Sequence, residues 1–329
     1  MKPAIEVNPL FVGMSRFGVV CDIDGVLVKE SHVIKRAVRA LQLLVDGEGK
    51  FKVPVMFVTN GGNCTEQSRA DRLKALLGGI NDISSDRMIV SHSPLQNIAE
   101  LRKQKLLLVG AEEEIIHQCA KQYNWASYQT GNAFANDHPY LFPTKCGKID
   151  PEKLTIPVHQ SNPFDSVVIL STPLDWTETL QMLVDVLLPG AEGQSVKLYA
   201  ANPDLVYSTE YCTPRLTTGA FVACLQHLYK QFTDVDLTVD WVGKPYGITY
   251  RYAESKMTEA TPDIQNFYAI GDNPLSDIKG ANEAGEHWHS ILVRSGVHSS
   301  KENHPVYPAE FICDDVYDAV QYILEREKE

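Results

Sequence analysis

The chain has 329 residues, 44% of them apolar, and its 30 basic and 42 acidic side chains leave a net charge of −12. Two domains fit that length at roughly 150 residues each, and the apolar share is ordinary for globular cores. The acidic balance argues against nucleic acid or an anionic membrane as the main partner, yet it leaves room for an anionic small substrate where a divalent cation reverses the field locally.

The first predicted element is a buried strand over residues 17–20, which runs into Cys21-Asp22-Ile23-Asp24-Gly25. On a strand Asp22 and Asp24 share a face. Where the strand gives out at Gly25, that face becomes the floor of a crevice at the carboxyl edge of a sheet, the place where open α/β folds bind ligands. Two like charges held this close ask for a cation. Ile34, Val38, Leu41 and Val45 then space an amphipathic helix that Gly47 and Gly49 end. Residues 53–58 form a second buried strand leading into Thr59-Asn60, a helix spans about 65–77, and 88–91 is a short third strand. This alternation predicts a doubly wound parallel sheet.

From about residue 93 a second α/β pattern begins. Strands are expected at 106–109 and 167–170, with a long surface excursion at 132–164 between them. A helix over 176–188 and a strand over 195–200 lead to Asn202-Pro203-Asp204, and a helix over 218–232 follows. Trp241-Val-Gly-Lys244-Pro245 opens a helix to about Met257. Residues 267–270 form a strand ending in Gly271-Asp272, 276–284 a helix, 290–293 a last strand, and Asp314 or Asp315 caps a helix to about Glu325. The expected organisation is a core in two parts, 1–92 and 243–329, with an inserted α/β domain at 93–242.

Element ends therefore carry Asp22 and Asp24, Thr59 and Asn60, Lys244, and Asp272 with Asp277. Each suits phosphoryl transfer. An aspartate can attack phosphorus covalently, and a second carboxylate can protonate the departing oxygen and then deprotonate water. A hydroxyl and a lysine can hold the equatorial oxygens of the transferring group, while several carboxylates make an oxygen-rich site suited to Mg²⁺.

The ordered set Asp22-x-Asp24-Gly-Val, Val58-Thr59-Asn60, Gly243-Lys244-Pro245 and Gly271-Asp272-x-x-x-x-Asp277 resembles the four motifs of the haloacid dehalogenase superfamily. About 35 residues separate the first motif from Thr59 and about 185 separate Thr59 from Lys244. That spacing is similar to the class IIA, para-nitrophenyl phosphatase-like branch, with its large α/β cap between motifs two and three. Within it, residues 54–63, 90–94 and 269–282 resemble the cat eye syndrome critical region protein family. The resemblance implies a Rossmann-like core with an inserted cap that moves and selects the substrate, and a small phosphorylated metabolite cleaved through an aspartyl-phosphate. It makes Asp22 the nucleophile and a Mg²⁺ ligand, and Asp24 the general acid/base, which also gives its backbone carbonyl to the metal. Thr59, Asn60 and Lys244 hold the phosphoryl group and substrate, and Asp272 ligates Mg²⁺. Asp277, with Asn273 beside it, orients Lys244 or a metal water. Asn202-Pro203-Asp204 resembles the cap segment that approaches the leaving group, and the branch is compatible with a homodimer through the cap.

Two rival readings use the same core. One is a catalytically weak or silent binding or scaffold protein, against which the presence of both Asp24 and Lys244 counts. The other is a phosphotransferase that passes the group to an alcohol instead of water. His287-Trp-His289 lacks the further ligands of a zinc site and reads as strand-entry packing, and Cys21 points to the face opposite Asp22 and packs. The seven cysteines (21, 64, 119, 146, 212, 224 and 313) form no CxxC pair and read as free thiols of a reducing compartment. No apolar run approaches the roughly 18 residues of a membrane span. The first seventeen residues, with Glu6 and two prolines, resemble neither a secretory signal nor a good mitochondrial presequence. A soluble, intracellular protein is expected, with cytoplasm and mitochondrion both open.

Overall fold

Phe17–Cys21 is buried along its whole length, as a strand flanked by neighbours and covered on both faces must be. In the computed structural model, which describes residues 15–142, 164–190, 195–207, 209 and 211–328, this strand is β1. A small hairpin, β2 (Val28–Lys29) and β3 (His32–Val33), follows it, then α1 (Ala37–Leu44), β4 (Val55–Val58), α2 (Glu66–Leu77) and β5 (Met88–Ile89). The middle of the chain forms β6 (Leu106–Val109), α3 (Glu113–Gln122), β7 (Tyr128–Thr130), α4 (Gly131–Asp137), β8 (Ser166–Ile169) and α5 (Trp176–Leu187). It continues through β9 (Lys197–Ala201), β10 (Val206–Tyr207), β11 (Arg215–Leu216), α6 (Thr218–Thr233) and β12 (Asp240–Val242). The last part holds α7 (Gly247–Ala260), β13 (Asn266–Gly271), α8 (Lys279–Ala284), β14 (Trp288–Val293), β15 (Phe311–Cys313) and α9 (Val316–Arg326).

The described residues divide into two units, one from 15–59, 66–89 and 244–328, the other from 60–65 and 90–243. The first unit is built on a parallel sheet in the order β15-β14-β13-β1-β4-β5. From β1 the chain winds outward through β4 and β5, then returns to the other side through β13, so β1 and β13 flank the point where the winding reverses. Cys21 pairs with Ile270 on one side and Phe57 on the other. The strands end level, and the next residues, Asp22, Thr59 and Asp272, share one carboxyl edge. Val20, Met56, Val58, Phe267 and Trp288 form the apolar layer beneath, with Phe267 and Trp288 stacked at 5.0 Å between centroids.

The second unit has its own parallel sheet, β12-β9-β8-β6-β7. Its core gathers Leu107, Val167, Ile169, Leu183, Leu198 and Phe221. Among the described residues no helix is long and apolar enough to cross a membrane.

Several elements differ from the sequence reading. The first helix begins at Ala37 rather than near Ile34, because residues 28–33 pair as a hairpin whose turn takes Glu30 into the left-handed region. Asp240–Val242 is a strand of the second sheet rather than part of a helix opening, and α7 starts only at Gly247. Residues 132–137, expected as surface excursion, belong to the helix Gly131–Asp137 with Phe134 buried; the part of that excursion at 143–163 lies outside the described residues. The helix expected over 276–284 opens with a wide π turn, Pro274–Ile278, which carries Asp277. Asp315 caps α9 by accepting from the amides of Tyr317 and Asp318.

Candidate active site

Lys244 is buried in the first unit with its Nζ donating to three oxygens: Asp22 Oδ1 at 2.5 Å, Asp277 Oδ1 at 2.7 Å and the carbonyl of Val58 at 3.1 Å. Asp22, Asp272 and Asp277 are buried too, and each offers an oxygen within 4.8 Å of the others. Three carboxylates thus gather near one ammonium, which bonds two of them. Burial, reinforced by the charges of Asp277, Asp272 and Asp24, lifts the Asp22 carboxyl well above its ordinary range, and Lys244 works against that rise. Burial, followed by Asp277, pushes Asp272 up to about 7. Burial disfavours the Lys244 ammonium, but Asp22 and Asp277 outweigh it and hold the proton on the amine.

A cation is the species that relieves this excess of buried negative charge, and the donor set is all oxygen, which suits Mg²⁺. Asp277 has both oxygens engaged, one by Lys244 and the other by the amide of Asn273 at 3.0 Å. Asn273 in turn caps the π turn by accepting from Leu275, and the Tyr250 hydroxyl donates to the Asp277 carbonyl at 2.8 Å. Asp22 Oδ1 accepts from Lys244, and Asp272 Oδ2 accepts from the Val297 amide at 2.6 Å. Backbone crowds the carboxylate of Asp272: a β-carbon at Gly25, whose φ is +92°, or at Gly296 would overlap it.

Asp24 differs from Asp22 in its surroundings. Its side chain is half exposed, and its Oδ2 accepts from Thr59 Oγ1 at 3.0 Å and from Arg69 on α2 at 2.6 Å. The Thr59 hydroxyl, expected at the phosphoryl group, is therefore spent on Asp24 here. Asn60, Asn202 and Asp204 lie in the second unit. There Asn60 Nδ2 donates to Asp204 Oδ2 at 2.9 Å, and Asn202 Oδ1 accepts from the Asp204 amide at 3.0 Å. Asn202 is buried with φ +69°.

Arg69, Tyr250, Gly296 and the Val297 amide were not marked by the sequence reading. Arg69 reads as an exposed helix charge. The loop 295–297, however, follows β14 at the same sheet edge, a position that could have drawn attention to it. The two histidines that frame Trp288 meet carboxylates, His287 with Glu254 at 3.2 Å and His289 with Glu310 at 2.6 Å. Cys21 is buried, as expected for the inward face.

A doubly wound parallel sheet with acid groups and a lysine gathered at its carboxyl edge defines an α/β enzyme that works at the topological switch point. A family model described as haloacid dehalogenase-like hydrolase matches residues 19–126, and a second, HAD-hydrolase-like, matches 241–319. The two together span more than half of the chain, and the chain belongs to the haloacid dehalogenase-like hydrolases.

A cardiolipin synthase (CMP-forming)/mitochondrial hydrolase fusion protein of Schizosaccharomyces pombe is 29% identical over 320 residues, covering 92% of this chain and 52% of its own length. The chain thus spans about half of that relative. A mitochondrial hydrolase of Saccharomyces cerevisiae is 27% identical over 344 residues, covering 93% of this chain and 94% of its own. Among solved structures, a glycerol phosphate phosphatase from Mycobacterium tuberculosis, in complex with magnesium, superposes with a TM-score of 0.64 at 20% identity, over 93% of this chain and 77% of that one.

Proposed function

We propose that this protein is a Mg²⁺-dependent phosphatase of small phosphomonoesters that works through an aspartyl-phosphate on Asp22. The observation that carries the reading is the buried Lys244, bonded to both Asp22 and Asp277 beside Asp272 at the end of the central strands. Asp22 attacks phosphorus while Asp24 gives its proton to the departing alkoxide, so that an alcohol leaves and an acyl phosphate remains. Asp24 then takes a proton from water as that water attacks phosphorus, and phosphate is released with Asp22 restored. The Lys244 ammonium counters the charge of the equatorial oxygens, and Asp277 keeps it aimed. Asp22, Asp272 and the carbonyl of Asp24 would hold Mg²⁺, which supplies further positive charge to the transferring group.

The assignment of Thr59 to the phosphoryl group, and of Asn60, Asn202 and Asp204 to substrate selection, rests on the motif resemblance. The names of the two yeast relatives favour the mitochondrial of the two open compartments. The test is phosphate release from a panel of phosphomonoesters with Mg²⁺ or EDTA, beside Asp22→Asn. Release that needs Mg²⁺ and is lost in the variant supports the reading. A folded protein that binds Mg²⁺ but turns over none of the panel defeats it and favours the binding protein.

A further inference from the structure

We propose that Arg69 is a positioning residue for the acid/base Asp24; the proposal rests on the phosphatase reading and names a part of its machinery. Arg69 lies on α2, and its guanidinium Nη2 donates to Asp24 Oδ2 at 2.6 Å. The arginine side chain is only 13% exposed although its partner is 50% exposed. Among the described residues its Nε is buried without a hydrogen-bond partner. A pair with one partner half in water contributes little to stability, and withdrawing a long side chain from solvent costs rotamer freedom. The arrangement is therefore poorly explained as a stabilising surface ion pair, and well explained as a device that fixes Asp24.

The geometry says what it fixes. Arg69 and Thr59 both donate to Oδ2, from two different elements, α2 and the end of β4. Two donors on one oxygen hold the carboxylate's rotamer and plane, and they reserve Oδ1 for the reacting group. Asp24 sits past the end of β1, before a glycine with φ +92°; backbone bonds tie its neighbours, from the amides of Leu27 and Val28 to the Ile23 carbonyl and from the Gly25 amide to the Val28 carbonyl, so the side chain is the part that needs fixing. Without Arg69 the side chain has one tether left and an open path to solvent. A carboxyl group that swings away from the leaving oxygen loses the effective concentration that makes proton transfer fast.

The requirement for that proton depends on the leaving group. Nitrophenolate departs readily without protonation; phenolate does not, although the two esters differ little in shape. The experiment compares p-nitrophenyl phosphate with phenyl phosphate, with Mg²⁺, for wild type, Arg69→Gln and Arg69→Lys. The expected result for Arg69→Gln is a kcat/KM on phenyl phosphate reduced roughly 10- to 100-fold and a kcat/KM on p-nitrophenyl phosphate within about threefold, since kcat/KM reads the steps up to departure of the leaving group and not the acyl-phosphate hydrolysis that both substrates share. Arg69→Lys, which keeps one charged donor, falls between and serves if the glutamine variant does not fold. An equal loss of kcat/KM on both substrates overturns the proposal by making Arg69 a structural or a substrate-contact residue. Asp22→Asn runs alongside: turnover that survives it defeats the phosphatase reading, and Arg69's role with it. A leaving-group effect that fails to appear while Asp22→Asn is dead defeats the Arg69 proposal alone.

Discussion

Asp22 and Lys244 are 222 residues apart in sequence and meet with 2.5 Å between Oδ1 and Nζ. Both are almost fully withdrawn from water. A buried pair of this kind is held by its partners more than by its surroundings, and removing one member leaves an uncompensated charge.

Lys244→Met, which keeps the volume and removes the ammonium, leaves Asp22 and Asp277 facing each other. At pH 7.5 without metal the variant should be less stable by about 3–5 kcal/mol, the range for breaking a buried pair. The deficit should shrink at pH 5, where the carboxylates can take up a proton instead. Urea denaturation at the two pH values checks both statements; a deficit that does not change with pH contradicts the charge argument.

Asp22 and Asp272 also set the pH dependence of the metal-free protein. Both carboxyls are lifted in the fold, Asp272 to about 7 from an ordinary 3.8. The folded chain therefore keeps protons that the unfolded chain has released, so the stability these groups allow is fullest below about pH 4 and falls as pH rises, in the case of Asp272 until about 7. On the proposed reading, Mg²⁺ would bind the ionised forms and have to displace those protons. Thermal melts should show a larger upward shift with Mg²⁺ at pH 8 than at pH 5. Equal shifts would mean that the metal does not contact these groups.

Gly296→Ala tests the crowding around Asp272. The added β-carbon would overlap the carboxylate, which must then move off the Val297 amide. Mg²⁺ affinity, read by calorimetry, should fall about 10- to 100-fold, as when a ligand's support is removed. Gly47→Ala is the control: a β-carbon there meets nothing within 4 Å, so Mg²⁺ affinity should be unchanged.

Which parts of this site could be read from sequence follows from how each residue is placed. Asp22, Thr59 and Asp272 each come directly after an apolar run, and such runs mark buried strands whose ends share an edge. Lys244 and Asp277 carry no such mark of their own, and only the ordered motifs single them out. Arg69 was not legible, because its partner is set by the register of a helix against a loop, and nothing in Ser68-Arg69-Ala70 records that. The strands β7 and β15 are only three residues long and half-buried at most positions, too short for alternation to show. The hairpin at 28–33 was hidden because the helical spacing from Ile34 onward extends back to its edge. The π turn at Pro274–Ile278 depends on backbone geometry that periodicity does not encode.

The most direct measurement is the trapping of the covalent intermediate. Asp24→Asn, which cannot draw a proton from water, should still be phosphorylated by p-nitrophenyl phosphate in Mg²⁺ and should then stall. Acid quenching and mass spectrometry of the digest should find one phosphoryl group on the peptide that contains Asp22, labile to hydroxylamine as an acyl phosphate is. The adduct should be absent when Asp22→Asn is added to the same variant. A phosphoryl group on any other peptide, or wild-type-like phosphate release by Asp22→Asn alone, would contradict the account.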